Sequence, residues 1–308
     1  MVHIPVLQKE VLQYLDPKPN ENFIDCTIDG GGHAIAILEK TSPKGRILGI
    51  EIDSELYQKL KLQMAQFLIS NYQFSKRLIL VNDSYVNLKE IVKRERLGPV
   101  SGILFDLGMS SWHLEESGRG FSFLKNEPLD MRYDLENPLT AEKIVNFWSE
   151  PDIEKILKEF GEEKFAKEIV QNLVEERKSV PIKTTFQLVK IIKKAVLLRY
   201  QRQRLHCATR TFQAIRIAVN KELDNLEKVL PQAIEILPAG GKLIVISFHS
   251  LEDRIVKNFF REKAKENILK IITKKPIGPG PKEIKINPRS RSGKLRAAVK
   301  ICPKQTNL

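Results

Sequence analysis

Residues 23–38 read FIDCTIDGGGHAIAIL, and no other stretch constrains the fold as tightly. Phe23, Ile24, Cys26, Thr27 and Ile28 are apolar or β-branched, the composition of a strand buried on both faces. Gly30, Gly31 and Gly32 break that strand, and HAIAILEK opens a helical pattern behind them. Strand, glycine turn and helix make the first unit of a nucleotide-type α/β fold, in which ligands sit beyond the carboxyl ends of parallel strands. The glycines either admit a ligand close to the backbone or only make a tight turn.

Alternation continues downstream. RILGIEI (46–52), LILVND (78–83) and VSGILFDLG (100–108) read as the second, third and fourth strands, with a helix over 54–68. From 110 to 206 the strand pattern stops. TAEKIVNFW, DIEKILKEFGEEKFAKEIVQNLVEERK and TTFQLVKIIKKAVLLRY read as amphipathic helices, with Asp152 as an expected N-cap and Pro181 as a separator. Beyond them follow a long helix over 211–237, a fifth strand GGKLIVISF (240–248), a helix LEDRIVKNFFREKA capped by Ser250 with Asp253 three residues on, and strands LKIIT (269–273) and KLRAAVKI (294–301). A last strand reached through a loop with Pro276, Pro279, Pro281 and Pro288, rather than through a helix, is expected to run antiparallel. The expected architecture is α/β: a seven-stranded, Rossmann-like sheet of the S-adenosylmethionine methyltransferase type. It is built from 1–109 and 207–308 and interrupted after strand four by an all-helical domain over 110–206.

Charge narrows the partner. The net charge is +13, yet residues 177–221 hold twelve Lys and Arg and no acid, and residues 273–308 hold ten basic residues against Glu283 alone. Everything outside these two segments is net −8. Segregation on this scale suits a polyanion, and nucleic acid is the expected one. No apolar run reaches the roughly 18–20 residues that span a bilayer, and the N-terminus has no signal-peptide pattern. Three scattered cysteines, Cys26, Cys207 and Cys302, make no disulfide framework, and no His/Cys grouping has metal-ligand spacing. A cytoplasmic protein without a metal site or membrane anchor is expected.

The dinucleotide fingerprint G-x-G-x-x-G fails here, because its third glycine would fall on Ile35. A helix starting near His33 still offers unpaired N–H groups to a carboxylate, which S-adenosylmethionine has. Glu51, 21 positions after Gly30, stands where a carboxylate accepts ribose hydroxyls; Asp53 is the alternative, with N-capping as its other explanation. Asp83 and Asp106 end strands three and four, and Tyr85 is placed to border an adenine. Acids at successive strand ends would repel a pyrophosphate and suit a cationic sulfonium. A dinucleotide oxidoreductase is therefore disfavoured; a non-catalytic RNA-binding factor would leave the glycines, Glu51 and Asp106 without a purpose.

HIPVLQKEVL, DCTIDGGGHA, GILFDLGMSS, RGFSF…PLDMR, GEEKFAKEIV, ATRTFQAIRIAVNKEL, PAGGKLIVISFHSLEDRIVKNFFR and NPRSRSGKLR occur in that order. In these motifs the chain resembles, nearly end to end, the bacterial ribosomal RNA small-subunit methyltransferase H family, which methylates N4 of a cytosine in 16S rRNA. The resemblance implies S-adenosyl-L-methionine as methyl donor, the small ribosomal subunit as partner, and cofactor contacts at Gly31, Gly32, His33, Glu51, Tyr85, Asp106 and His113. Asp29 departs from the family's glycine, and His113 stands at a position where glutamine is usual.

Attack by an exocyclic amine needs no cysteine nucleophile; it needs acceptors for the N4 hydrogens and alignment of the lone pair. Asp106 and the loop through Ser111 match that need, with catalysis and cofactor binding both open to Asp106. His249 in SFHSLEDR is the histidine expected nearest the target base. Trp112 and Phe121 either stack on a base or pack. A cytosine in RNA has to be splayed out of its stack to be reached, and Arg199, Arg202, Arg204, Arg210, Arg289 and Arg291 are the expected phosphate contacts.

Overall fold

A computed structural model of the chain describes residues 4–74, 76–203 and 205–302. The chain divides into two compact units, 1–108 with 223–308, and Met109–Glu222.

The first unit is a seven-stranded sheet. Its strands are β1 (Asn22–Asp25), β2 (Ile47–Glu51), β3 (Leu78–Asn82), β4 (Val100–Asp106), β5 (Lys242–Ser247), β6 (Leu269–Ile271) and β7 (Lys294–Lys300). Their spatial order is β3-β2-β1-β4-β5-β7-β6. The first five run parallel, and β7 lies antiparallel to both β5 and β6, as expected, although its approach is not free of helix: it contains the short helix Pro281–Ile286. Strand residues point alternately to opposite faces. Ile24, Leu48, Ile103, Phe105, Leu243 and Val245 face one apolar layer with Val229, Leu230, Val256 and Phe260. Phe23, Ile47, Leu104, Ile244 and Ile246 face the other, with Val11, Leu15, Ile37, Leu38 and Leu60. Two covered faces explain why the strands read as unbroken apolar runs.

The N-terminal segment is part of this unit's frame. Leu7 adopts a left-handed conformation (φ 53°) and its N–H donates to Glu283 Oε1 at 2.8 Å, while Asn287 donates to the Ile4 carbonyl. Gln8 donates through Nε2 to the carbonyl of Gly32 at 3.0 Å. A Cβ on Gly32 would sit 2.8 Å from Pro5 Cγ, so the glycine there is demanded by the chain's own N-terminal segment.

The second unit is helical around its own core, which includes Ile144, Ile153, Leu157, Ile169, Leu188, Phe212 and Ile215. Among its described residues there is no strand, only an isolated bridge between Pro128 and Thr184. The segment RGFSF…PLDMR serves as its strapping. Arg132 forks onto both oxygens of Asp130 and donates to the carbonyls of Leu135 and Asn137, and Arg119 donates to the carbonyl of Arg132. Met131, at φ 60°, accepts from Asn220 Nδ2 at 2.7 Å.

Three expectations change. The single helix over 211–237 is two helices, Thr209–Asn220 and Glu222–Ile236, because Lys221 turns left-handed at φ 51° and ends the first. Helix Thr209–Asn220 accordingly packs in the helical unit, which extends to Glu222 rather than stopping at 206. The helix Glu150–Glu159 is capped by Ser149, whose hydroxyl accepts from Asp152 N–H, so Asp152 is the third helical residue and not the cap.

Candidate active site

Parallel strands deliver their last residues to one edge of the sheet, and here that edge is acidic. β1 ends at Asp25, β2 at Glu51 and β4 at Asp106. Asp25 is level with Gly49 and Leu104, so Asp106 extends two residues further and meets the loop after β1. There the Asp106 N–H donates to Thr27 Oγ1 at 2.6 Å. The loop then turns through Asp29 at φ 44° and Gly31 at φ 75°, and Gly32 opens the helix Gly32–Lys40. Gly31 is required for its left-handed φ. Asp29 holds a similar conformation at a position where the resembling family has glycine; a short polar side chain tolerates it.

His33, second residue of that helix, is buried beneath the loop, with Nε2 3.5 Å from Asp106 Oδ2. That is ion-pair range and too long for a direct hydrogen bond. Among the described residues, neither ring nitrogen of His33 nor Oδ2 of Asp25 has a hydrogen-bond partner, although all are buried. Leaving such groups unpaired costs about 1–3 kcal/mol each, so this edge is built for something polar to complete it. Burial pushes the Asp25 carboxyl up to about 6, with His33 nearby opposing the shift. Sequence reasoning passed over Asp25 because it sits within the apolar run. The available signal was its position at a strand end, like Glu51 and Asp106.

Glu51 is buried, and desolvation raises its carboxyl to about 8, with Asp29 and Asp53 adding repulsion. Its Oε1 accepts from Asp53 N–H at 2.9 Å. Asp53 caps the helix Ser54–Ser70, accepting from Glu55 and Leu56 N–H. Asp53 thus has the N-capping role that the sequence offered as its other explanation. Asn82 locks the adjoining strand end by donating to the carbonyls of Glu51 and Ile52. Asp83 is engaged by Ser84 N–H, Asn87 and Arg94, a local scaffold. Tyr85 is half-buried, edge-on to Phe105 with ring centroids 5.8 Å apart.

His249 caps the helix Ser250–Lys265, which corrects the expectation for Ser250 and Asp253. Its Nδ1 accepts from Glu252 N–H at 3.4 Å, and Glu252 Oε2 accepts from Phe248 and His249 N–H in return. The His249 Nε2 lies 3.0 Å from Glu252 Oε1, within ion-pair range, but makes no hydrogen bond among the described residues. Asp253 instead pairs with Arg296 of β7 through two hydrogen bonds of 2.6 and 3.1 Å.

His113, Trp112 and Phe121 lie in the helical unit. His113 is buried with its ring edge-on to Trp112, Phe121 and Tyr133, at centroid distances of 5.2, 5.0 and 4.8 Å. Phe121 stacks on Tyr133 in that core, which resolves its reading in favour of packing, and Arg119 lies over the Trp112 ring. Arg199 and Arg202 are exposed, whereas Arg210 is half-buried and donates to the Glu162 carbonyl at 2.6 Å. Arg289 and Arg291 are exposed on the turn Pro288–Ser292 of the sheet unit. Arg204 lies outside the described residues.

An antiparallel β7 wedged between β5 and β6 separates the S-adenosylmethionine methyltransferase fold from the dinucleotide fold; this chain has the former. A family model described as the MraW methylase family matches residues 1–301. "Ribosomal RNA small subunit methyltransferase H" of Thermosipho melanesiensis is 47% identical over 300 residues, covering 97% of this chain and 98% of its own. Its namesakes in Thermotoga neapolitana and Symbiobacterium thermophilum are 46% and 43% identical, over 96% and 97% of this chain and 95% and 96% of theirs. The chain belongs to the MraW methylase family.

Proposed function

We propose that this protein, acting in the cytoplasm, transfers a methyl group from S-adenosylmethionine to N4 of a cytosine in 16S rRNA of the small ribosomal subunit. The observation that carries the reading is its match over nearly full length to small-subunit rRNA methyltransferases. The acidic strand-end edge fits the cofactor's chemistry: a sulfonium and an ammonium offer the positive charge that Asp25 and Asp106 lack, and a ribose offers the two hydroxyls that a carboxylate at Glu51 accepts.

S-adenosylmethionine, when bound, supplies an electrophilic methyl group on a cationic sulfur. The chain's residues do the rest. Gly31 and Gly32 bring the backbone and helix N-terminus to the cofactor's carboxylate, with His33 behind them. Tyr85 borders the adenine. Asp106, fixed by Thr27 at its own N–H and accepting Gly108 N–H at 3.3 Å, is the acceptor for an N4 hydrogen, and orienting that amine is what the transfer needs. His249 positions the loop after β5 through its cap. The helical unit, with Arg199 and Arg202, and the turn with Arg289 and Arg291 take the RNA phosphates.

The test is transfer of a radiolabelled methyl group to small subunits lacking the modification, followed by nucleoside analysis. Label in N4-methylcytidine is expected. Label in another nucleoside overturns the base assignment, and loss of cofactor binding by the wild-type protein overturns the whole reading.

A further inference from the structure

Two of the arginines assigned to RNA, Arg199 and Arg202, sit on a short, mostly exposed turn. Leu198–Gln201 is a single helical turn, and Leu197, Leu198 and Leu205 around it are exposed, as are Arg199 and Arg202. Tyr200 and Gln201 are its half-buried members, and Gln201 donates through Nε2 to the carbonyls of Lys193 and Val196, the end of the preceding helix; Tyr200 reaches further. Its hydroxyl donates to the carboxylate of Glu163, 3.0 Å from Oε1 and 3.2 Å from Oε2, and its ring meets Phe165 edge-on at 4.8 Å. Glu163 is only 4% exposed, and is held by accepting Phe165 N–H at 3.0 Å and by its own N–H on the Leu157 carbonyl. The neighbouring Glu162 carbonyl takes Arg210. One rigid turn, GEEKF, thus collects two residues of the acid-free stretch. Burial and the adjacent carboxylate push the Tyr200 phenol up to about 12, so it keeps its proton throughout the working range.

We infer that Glu163 and Tyr200 form a latch that positions Arg199 and Arg202 for RNA phosphates, making Tyr200 a positioning residue for substrate binding. The inference rests on the RNA reading given above. A buried carboxylate placed under an exposed, arginine-bearing turn fixes where its charges stand, which a flexible segment would leave to be ordered at a cost in binding.

Ionic-strength dependence separates positioning from mere stabilisation. Each phosphate contact contributes about 0.7–0.9 to the slope of log affinity against log salt. Binding of the full-length protein to a 16S rRNA transcript is measured across a salt series for the wild type, Arg199→Ala/Arg202→Ala, Tyr200→Phe and Glu163→Asp, with circular dichroism melts alongside. The arginine pair is expected to lower the slope by about 1.4–1.8. Tyr200→Phe is expected to lower it by at least half as much and the affinity at 0.15 M salt several-fold, while cofactor affinity holds. Adding Tyr200→Phe to Arg199→Ala/Arg202→Ala should weaken binding no further than the arginine pair alone, because coupled residues are not additive. Should Tyr200→Phe melt below the assay temperature, Glu163→Asp, which keeps the charge and withdraws it from the phenol, must show the same loss. An unchanged slope in both latch variants, with the slope lost in the arginine pair, overturns the latch. An unchanged slope in the arginine pair itself overturns the RNA assignment of these two residues and the latch with it.

Discussion

Substituting alanine for Gly32 places a methyl group where the Pro5 ring already stands. The new Cβ would lie 2.8 Å from Cγ and 3.0 Å from Cδ of Pro5, and a closed ring has no rotamer by which to leave. Relief has to come from the N-terminal segment, which is tied down by Leu7 N–H on Glu283 and by Gln8 on the Gly32 carbonyl. Overpacking of this kind costs about 1–3 kcal/mol. Alanine at the first helical position returns less than ~1 kcal/mol of helix propensity. A net loss of about 1–2 kcal/mol is expected, seen as a fall of a few degrees in the melting temperature. Pro5→Gly removes the obstacle, so in the double variant the Gly32→Ala penalty should shrink by about 1 kcal/mol or more, outside the ~0.3–0.5 kcal/mol scatter of independent sites. Urea titrations of the four proteins give the cycle. Gly31→Ala is the control: its Cβ would meet only ordinary contacts with Met64 and Leu60, and its cost of about 1–2 kcal/mol comes from the left-handed φ and should ignore Pro5. Additive losses for Gly32 and Pro5 would refute the steric account.

Other perturbations test the acidic edge and the frame. Glu51 has its carboxyl raised from 4.5 to about 8 in the fold, so the folded chain binds the extra proton and loses stability as pH climbs through that window. Glu51→Gln should therefore be nearly neutral at pH 5 and stabilising at pH 8 in thermal melts without cofactor, while weakening S-adenosylmethionine binding at both. Asp25→Asn removes a buried charge that titrates near 6, and calorimetry should show S-adenosylmethionine binding weakened about tenfold at pH 7.5, or ~1.4 kcal/mol, with no loss of melting temperature. Arg296→Met strips Asp253 of its two hydrogen bonds in a largely buried setting, and a loss of about 3 kcal/mol is expected from denaturant midpoints.

Much of the architecture was legible because it is written in local patterns. The seven strands lie within a few residues of the apolar runs that announce them, and the last is antiparallel as expected, though one of the four prolines in its approach starts a short helix, Pro281–Ile286. What went astray depended on contacts that local pattern does not encode. Nothing in VNKEL marks Lys221 for a left-handed turn, so two helices read as one. Ser250 has the better N-cap residue type than His249. The reciprocal bond with Glu252, set by where β5 leaves the chain, moves the cap one residue earlier. Phe121, a plausible base-stacking ring by type, is spoken for by Tyr133.

By itself the sequence determined the fold class, the glycine turn, Glu51 and Asp106 at strand ends and the two basic segments, since periodicity, turn chemistry and charge are properties of neighbours along the chain. Tertiary structure alone decided how the buried carboxylates are used: desolvation raises Asp25 and Glu51, and Asp53 accepts two backbone N–H groups as a helix cap. It also decided that Gly32 answers to Pro5, far earlier in the chain, and that Tyr200 reaches Glu163. Desolvation and steric exclusion arise from whatever the fold brings close, and closeness in space is the one property a linear sequence does not carry.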